Sequence, residues 1–245
     1  MSVSRRSLLT SLLAGPAMLA QSGNEWIPLF DGKSLAGWKE SGAGGSFQVV
    51  DGAIAANGPR AHLFYNGPVR GAEFRNFELK LDVMTRPLCN SGVYFHTRFQ
   101  SDGFPGEGFE VQVNNSALGE GTYRERKKTG SLYGVRNVYK AFARDNEWFP
   151  MHVVVRGRRV TIAVNGLLLV DFVEPDPAVH AEPGRGRALG SGTFALQCHD
   201  AGSKALFRNI MVRPLADSDN DSTPAPVVDE TWRELLMLGA KTAAE

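Results

Sequence analysis

The sequence predicts an all-β fold of antiparallel strands, and two observations support this prediction. Across residues 26–215 the chain repeats runs of five to seven residues in which apolar and polar side chains alternate, each bounded by Gly, Pro, Asn or Asp. The 27 glycines in 245 residues exceed the usual share and follow no Gly-x-y period, which indicates many tight turns between short strands. No helical pattern of useful length separates the strands, so βαβ units and a Rossmann fold are excluded.

The predicted strands follow from this alternation and cover residues 77–83, 93–98, 109–114, 151–156, 160–164, 167–172, 194–199 and 206–212. Residues 77–83 are the clearest case, because four apolar side chains fall on one face and charged side chains on the other. Asn165-Gly166 indicates a two-residue hairpin turn, since both central positions of such a turn need positive φ. Each strand is therefore expected to pack one face and expose the other.

Composition and charge limit the function classes that fit this chain. The 27 Lys and Arg nearly balance the 26 Asp and Glu, for a formal net charge of +1. Such a chain creates no strong field for a polyanion, which argues against a dedicated nucleic-acid-binding protein. A hydrophobic share of 42% is that of a globular protein, so disorder as the main state is excluded. The length allows one large or two small domains.

The N-terminus has the pattern of an export signal. Arg5 and Arg6 precede an apolar stretch over residues 8–20, which is typical of a twin-arginine type signal. This stretch is shorter than the ~20 residues that a membrane-spanning helix needs. Ala20 and Ser22 are small enough for cleavage after Ser22. We therefore expect residues 1–22 to be removed and the mature protein to be periplasmic or secreted. A permanent membrane anchor is the alternative.

The C-terminal residues 216–245 read as a polar linker followed by a short helix. Asp and Ser dominate residues 216–226, with prolines near the end. Asp229 can cap a helix that carries Trp232, Leu235 and Leu236 on one side. This helix is expected either to dock on its own domain or to bind a partner.

The two cysteines, Cys89 and Cys198, leave their pairing open. In an exported chain a long-range disulfide is allowed, and two separate buried thiols are the alternative. Neither cysteine has the spacing of a zinc or redox site.

Three predicted strands place unusual polar side chains on one face. The side chains that point away from the apolar set are Tyr94, His96 and Arg98, then Glu110, Gln112 and Asn114, then Gln197 and His199. A solvated outer face explains such a pattern in a single strand. Rows of His, Gln, Asn and Tyr, however, suit a groove built from directional hydrogen bonds, which is the surface that sugars need. A neutral carbohydrate is therefore the leading ligand class.

The row at 110, 112 and 114 resembles the strand of family 16 glycoside hydrolases in which alternating carboxylates face the substrate. Here only Glu110 is acidic, whereas ordinary glycoside hydrolysis needs two carboxyl groups. Asp102 could supply a second carboxylate from a Gly/Pro-containing loop, although a turn role suits it better.

A longer series of motifs resembles the 3-keto-disaccharide hydrolase domain family. The matching blocks, in order, are WIPLFDGKSLAGW from residue 26, NFEL from 76, NSGVYF from 90, GFEVQV from 108, TGSLYG from 129, EW at 147, VNG at 164, LQCH from 196 and FRNI from 207. The resemblance covers residues 26–215. It implies a concanavalin A-like jelly-roll β-sandwich of two antiparallel sheets and activity on glycosides oxidised at carbon 3.

The resemblance also implies a chemistry that needs only one strong base. A ketone at carbon 3 acidifies the carbon 2 proton, so a base can remove it and expel the group at carbon 1, after which water adds; direct hydrolysis is the alternative route. The candidates for base and acid are Glu110, His199 and His96. The candidate donors to the ketone oxygen are Arg98, Lys128 and Tyr133, and the candidates for orienting hydroxyls are Asn90, Tyr94, Gln112, Asn114 and Gln197.

Several alternatives remain at this level. Each histidine can instead be a neutral hydrogen-bonding residue, and Lys128 can belong to a solvated charge run over residues 124–128. Asn114 stands where the family often has Asp, which removes a potential acid or metal ligand, and no cofactor is expected. Cys198 replaces a small residue, which we interpret as a packing change. The protein is expected to act on a small-molecule glycoside, without nucleic acid or stable membrane insertion; a non-catalytic sugar-binding module and a structural or adhesion domain are the competing hypotheses.

Overall fold

Thirteen strands form two antiparallel sheets in the computed structural model, which describes residues 25–119, 124–176, 178 and 187–221. In chain order the strands are β1 (Ile27–Pro28), β2 (Trp38–Glu40), β3 (Phe47–Val50), β4 (Ala53–Ala56), β5 (Ala61–Tyr65), β6 (Phe77–Thr85), β7 (Ser91–Thr97), β8 (Phe109–Val113), β9 (Phe149–Arg156), β10 (Arg159–Val164), β11 (Leu167–Val173), β12 (Thr193–Cys198) and β13 (Ala205–Pro214). A short 3₁₀ turn at Val69–Ala72 lies between β5 and β6.

The larger sheet has eight strands, in the order β11-β10-β9-β6-β13-β4-β3, with β1 also paired to β13. The smaller sheet has five strands, in the order β2-β5-β12-β7-β8. Their apolar faces meet in one core, where rings such as Phe77, Phe95 and Phe194 pack edge to face. This arrangement confirms the predicted all-β fold of two antiparallel sheets.

Local sequence signals explain where strands begin and turn. The alternating residues Phe77, Leu79, Leu81 and Val83 of β6 are all buried, as predicted. The turn between β10 and β11 falls at Asn165 and Gly166, with φ of 53° and 77°, so the predicted hairpin is confirmed.

Cys89 and Cys198 are both buried and unpaired, which is the second of the two alternatives that the sequence left open. Burial raises the pKa of both thiols, that of Cys198 to about 11. Both side chains therefore belong to the core as neutral packing groups.

Two predictions at the chain ends concern residues outside the described part of the chain. These are the export signal over residues 1–22 and the helix that begins near Asp229. Among the residues that are described, no helix has the length and apolar character required to cross a membrane.

Candidate functional site

The outward face of the five-stranded sheet carries the candidate site. We call it the polar face and define it by His62 and Phe64 of β5, Gln197 of β12, Tyr94 of β7, and Glu110 and Gln112 of β8. Strand register places Phe64 opposite Ala195, Ala195 opposite Tyr94, and Tyr94 opposite Glu110. In the next row His62 lies opposite Gln197 and Gly92 opposite Gln112. The alternation that buries the opposite side chains in the core thus gathers these groups on one surface.

A chain of hydrogen bonds crosses the polar face from one strand to the next. The Gln197 amide donates to the Tyr94 hydroxyl at 2.9 Å and lies 3.3 Å from His62 Nε2. The Tyr94 hydroxyl is also hydrogen-bonded to the Glu110 carboxylate. A phenol has a single proton, so Tyr94 donates it to Glu110 while its oxygen accepts from Gln197. The other amide proton of Gln197 then goes to His62 Nε2, which leaves the imidazole proton on Nδ1.

Burial fixes the charge states along this chain. The His62 side chain is fully buried, and burial, with smaller contributions from Arg60 and His199, lowers its pKa to about 4, so the ring is neutral near pH 7. Burial and the neighbouring Glu110 raise the pKa of Tyr94 well above 10, so the phenol keeps its proton. Glu110 therefore faces a neutral donor and is the group on the polar face best placed to accept a proton.

Gly92 makes room for the Glu110 carboxylate. A Cβ at position 92 would lie 2.5 Å from Glu110 Oε1 and 2.9 Å from its Cγ, closer than atoms can approach. Glycine at this position therefore allows the carboxylate to lie flat over the sheet.

Three buried polar atoms on the polar face have no hydrogen-bond partner among the described residues: His62 Nδ1, Gln112 Oε1 and Gln197 Oε1. Leaving such an atom unpaired costs about 1–3 kcal/mol. The Gln112 amide nitrogen is occupied, because it donates to Asn90 Oδ1 at 2.7 Å. One donor and two acceptors of the polar face thus have unused hydrogen-bonding capacity within the described part of the chain.

The loop over residues 98–108 adds aromatic side chains at the β5 end of this face. The Phe104 ring lies 5.9 Å from the His62 ring and 5.5 Å from the His199 ring, with the Arg60 guanidinium 5.2 Å above it. The Gln100 amide holds the loop by donating to the carbonyls of Asp102 and Phe104. Polar groups therefore lie beside an aromatic ring at this end of the face, an arrangement that suits a sugar.

The opposite edge is formed by residues 124–133. Tyr133 lies next to Glu110, on the segment beside β8, since its backbone N–H donates to the Glu110 carbonyl at 2.9 Å. Its hydroxyl donates to Glu125 Oε2 at 3.2 Å, and Lys127 Nζ lies 4.2 Å from the centre of its ring. A second carboxylate thus stands at the edge of the polar face.

Six predicted site residues meet on or beside the polar face: Asn90, Tyr94, Glu110, Gln112, Tyr133 and Gln197. His199 lies at its rim beside Phe104, and its Nδ1 donates to Asp200 at 2.7 Å. This bond orients the imidazole, as a carboxylate does for a proton-transferring histidine. The catalytic and binding roles of all seven stay predictions.

The predicted orientation of His96 is wrong. His96 has a φ of 55°, and β7 has one residue more than β12 between the pairs Tyr94–Ala195 and Thr97–Thr193. This bulge turns the ring away from the polar face and against Phe77 in the core, where Nε2 donates to the Arg75 carbonyl. Burial lowers its pKa to about 4. His96 is therefore a neutral core residue, which is the alternative that the sequence had left open.

Three other predicted residues have their polar groups engaged elsewhere. Arg98 is exposed and pairs with Glu73 and Glu107. The Asn114 amide donates to the carbonyls of Ala117 and Lys127, and Lys128 Nζ also donates to the Ala117 carbonyl. Asn114 and Lys128 therefore hold the loop that follows β8.

Asp102, in the 98–108 loop, forms an ion pair with Arg60. The Asp102 side chain is 75% exposed and that of Arg60 46%. Its turn role, which the sequence favoured, fits this position better than a second catalytic carboxylate.

Sequence reasoning missed His62, Phe104, Glu125 and Lys127. His62 shares its strand face with apolar Phe64, so the sequence does not show this face as polar. Glu125 and Lys127 lie in the charge run over residues 124–128, which is typical of a solvated segment. In the structure the Glu125 side chain is only 2% exposed. Within the described residues no group of three or more His, Cys, Asp or Glu side chains converges as a metal site would require.

The chain matches a known domain family and is similar in fold to several solved structures. A family model described as the 3-keto-alpha-glucoside-1,2-lyase-like domain matches residues 25–213. Comparison with curated proteins finds no match.

Among solved structures, a candidate glycosyl hydrolase from Parabacteroides distasonis superposes with a TM-score of 0.65 at 23% identity, over 78% of this chain and 94% of that one. A Bacillus subtilis protein with a galectin-like fold gives 0.53 at 13% identity, over 78% and 95%. The VIP36 exoplasmic/lumenal domain, bound to Ca²⁺ and Man3GlcNAc, gives 0.51 at 12% identity, over 80% and 89%. At these identities the similarity concerns the fold, and it confirms the predicted jelly-roll β-sandwich.

Proposed function

The chain belongs to the 3-keto-alpha-glucoside-1,2-lyase-like domain family, and from that premise we propose that it is an enzyme that cleaves the glycosidic bonds of sugars oxidised at carbon 3. The observation that carries the proposal is the Glu110 carboxylate, which is buried, hydrogen-bonded to neutral Tyr94 and seated over Gly92. A single positioned base of this kind is what elimination next to a ketone needs.

In the proposed reaction Glu110 removes the proton from carbon 2 of the 3-keto sugar. The electron pair left behind forms the double bond to carbon 1 as the glycosidic oxygen leaves, and water then adds to carbon 1. The Nδ1–H of His62 is a buried donor suited to the ketone oxygen, where negative charge develops. The amide oxygens of Gln112 and Gln197 accept from sugar hydroxyls. His199, oriented by Asp200, stays a candidate acid at the rim.

The test is incubation of the purified protein with a 3-keto-disaccharide and, separately, with its unoxidised parent. We expect release of a free sugar from the oxidised substrate only, since only the ketone acidifies carbon 2. The Glu110→Gln variant is expected to lose activity by about a hundredfold or more while still binding the sugar. Binding without release by the wild-type protein would show a non-catalytic sugar-binding module and refute the enzyme.

We further propose that the protein works outside the cytoplasm. Arg5 and Arg6 before a short apolar stretch support export through a twin-arginine type route. Replacing both arginines by lysine is expected to retain the protein in the cytoplasm, as measured by cell fractionation. An unchanged distribution contradicts this route.

A further inference from the structure

Glu125 is a second buried carboxylate that lies outside the strand rows of the polar face. Its Oε1 accepts the backbone N–H of Lys127 at 2.8 Å and lies 3.7 Å from Lys127 Nζ. Its Oε2 accepts the hydroxyl proton of Tyr133 at 3.2 Å. A carboxylate that is 2% exposed and bonded to a phenol is well placed to hold that hydroxyl in position.

Tyr133 connects this carboxylate to the Glu110 site. Val111 and Leu132 form a bridge and are both fully buried, so their neighbours Glu110 and Tyr133 face outward together. The Tyr133 backbone is hydrogen-bonded to that of Glu110, and Arg187 lies 5.9 Å from the Tyr133 ring. Tyr94 and Tyr133 therefore stand on either side of Glu110, one on β7 and one on the segment beside β8.

The two tyrosines send their protons to different carboxylates. Tyr94 donates to Glu110, whereas Tyr133 donates to Glu125. A phenol has one proton, which it can give to a leaving oxygen and regain from water. Lys127 Nζ, 4.2 Å from the ring centre and 3.7 Å from Glu125, stabilises negative charge on either group during the transfer.

We propose that Tyr133 is the acid and then the base on the carbon 1 side of the reaction, in contact with the glycosidic oxygen, and that Glu125 positions its hydroxyl; we call these two residues the relay. The relay rests on the proposed cleavage of 3-keto-glycosides. It assigns the second acid–base function to residues outside the β8 row, which has only one carboxylate.

The protons balance over the two steps. In the elimination Glu110 takes the carbon 2 proton, the bond from carbon 1 to the glycosidic oxygen breaks, and that oxygen takes the Tyr133 proton, which leaves a phenolate beside Lys127 Nζ. In the hydration water adds to carbon 1 and gives a proton to this phenolate, which restores the Tyr133 hydroxyl and its bond to Glu125. Glu110 then gives its proton back to carbon 2. Both carboxyl groups end as they began, and no further reactant is needed.

The relay is tested by the identity of the leaving group. The variants Tyr133→Phe and Glu125→Gln are assayed on a 3-keto-glucoside with a sugar or alkyl alcohol as leaving group and on the 4-nitrophenyl 3-keto-glucoside, whose leaving group needs no acid. We expect a loss of about a hundredfold or more on the first substrate and only a few-fold on the second. The unsaturated intermediate is expected to accumulate, visible by its ultraviolet absorbance, because hydration also needs the relay.

The controls separate the relay from its alternatives. Glu110→Gln is expected to lose both substrates equally, and Tyr139→Phe, at a tyrosine that is 67% exposed, is expected to lose neither. Glutamine at 125 keeps an acceptor for the Lys127 N–H, and melting curves report whether each variant is folded. If folded Tyr133→Phe loses the same activity on both substrates and no unsaturated intermediate accumulates, the relay is refuted while the proposed function stands. A wild-type protein that cleaves neither oxidised substrate refutes the proposed function and the relay with it.

Discussion

The outward faces of the two sheets differ in how they pair their buried carboxylate, imidazole and amide groups. On the eight-stranded sheet the Glu78 carboxylate has both oxygens paired, Oε1 with Arg156 and Arg213 and Oε2 with His152. On the five-stranded sheet His62, Gln112 and Gln197 each have a buried polar atom that no described residue pairs. Paired groups strengthen the sandwich, whereas unpaired groups cost stability that a ligand can recover. The comparison therefore leads us to predict a structural role for the Glu78 cluster and ligand binding on the five-stranded sheet.

The largest expected effect comes from filling the space under Glu110. In Gly92→Ala the new methyl group displaces the flexible end of the Glu110 side chain, so we expect the rate of 3-keto-glycoside cleavage to fall about a hundredfold. The fold should survive, because the atoms that must move belong to a side chain and not to the backbone. Steady-state kinetics measure the effect.

Gly190→Ala is the matched control, since no atom of the described residues beyond its two chain neighbours lies within 4 Å of a Cβ at that position. The control is expected to retain its activity. A Gly92→Ala protein with full activity would mean that the position of the Glu110 carboxylate does not matter for catalysis.

The next largest effect is the pH dependence of stability, which we compare for a histidine of the polar face and one of the core. His62 and His96 both have folded-state pKa values of about 4, against 6.5 when exposed. Between pH 6.5 and 4 the unfolded state therefore binds more protons, and the protein loses stability as the pH falls through this window. Each histidine is expected to contribute on the order of 2–3 kcal/mol to the loss.

Urea unfolding at pH 7 and pH 4.5 measures this loss in the wild type, His62→Gln and His96→Gln. Each variant is expected to show a smaller difference between the two pH values. The charged groups that face the rings are Arg60 and His199 for His62, and Arg75 and Glu73 for His96. A wild-type stability that is constant over this range contradicts neutral burial of both rings.

The smallest effect belongs to the paired face. Although burial opposes it, the bonds and charges of Arg213 and His152 hold the pKa of Glu78 below 4.5. Its contribution to stability is therefore complete above pH 4.5 and is lost as the pH falls through the folded-state pKa. We expect Glu78→Gln to lower the free energy of unfolding by about 1–2 kcal/mol at pH 7 and by less near pH 3, with sugar cleavage unchanged.

Glu147→Gln is the control for this charge, because Glu147 and its partner Arg144 are 62% and 83% exposed. Exposed pairs of this kind contribute little, so chemical denaturation is expected to detect almost no change. A loss of sugar cleavage in folded Glu78→Gln would contradict the prediction that catalysis takes place on the five-stranded sheet.

Strand alternation was enough to predict four of the six residues that define the polar face. Tyr94, Glu110, Gln112 and Gln197 alternate with buried residues in regular strands, and regular strands place every second side chain on the same side. The Asn165-Gly166 turn was predictable for the same reason, because its requirement for positive φ is local.

His96 could not be placed correctly in this way because its orientation depends on distant parts of the chain. Its bulge fits between Gly108 and Gly192, where a Cβ on either glycine would collide with the backbone of residues 95–97. Glu125 escaped prediction for a related reason: its burial depends on the fold of the loop after β8 and not on periodicity. Contacts between segments far apart in the sequence decided both cases.

The Gln197 amide has a consequence for the way protons are distributed over the polar face. It donates one N–H to Tyr94 and the other toward His62, and an amide in that position cannot release a proton and take up another as water or a phenol can. Gln197 therefore connects His62 to Tyr94 and Glu110 by hydrogen bonds but does not conduct protons between them. His62 and Glu110 can each change protonation state without a proton passing from one to the other.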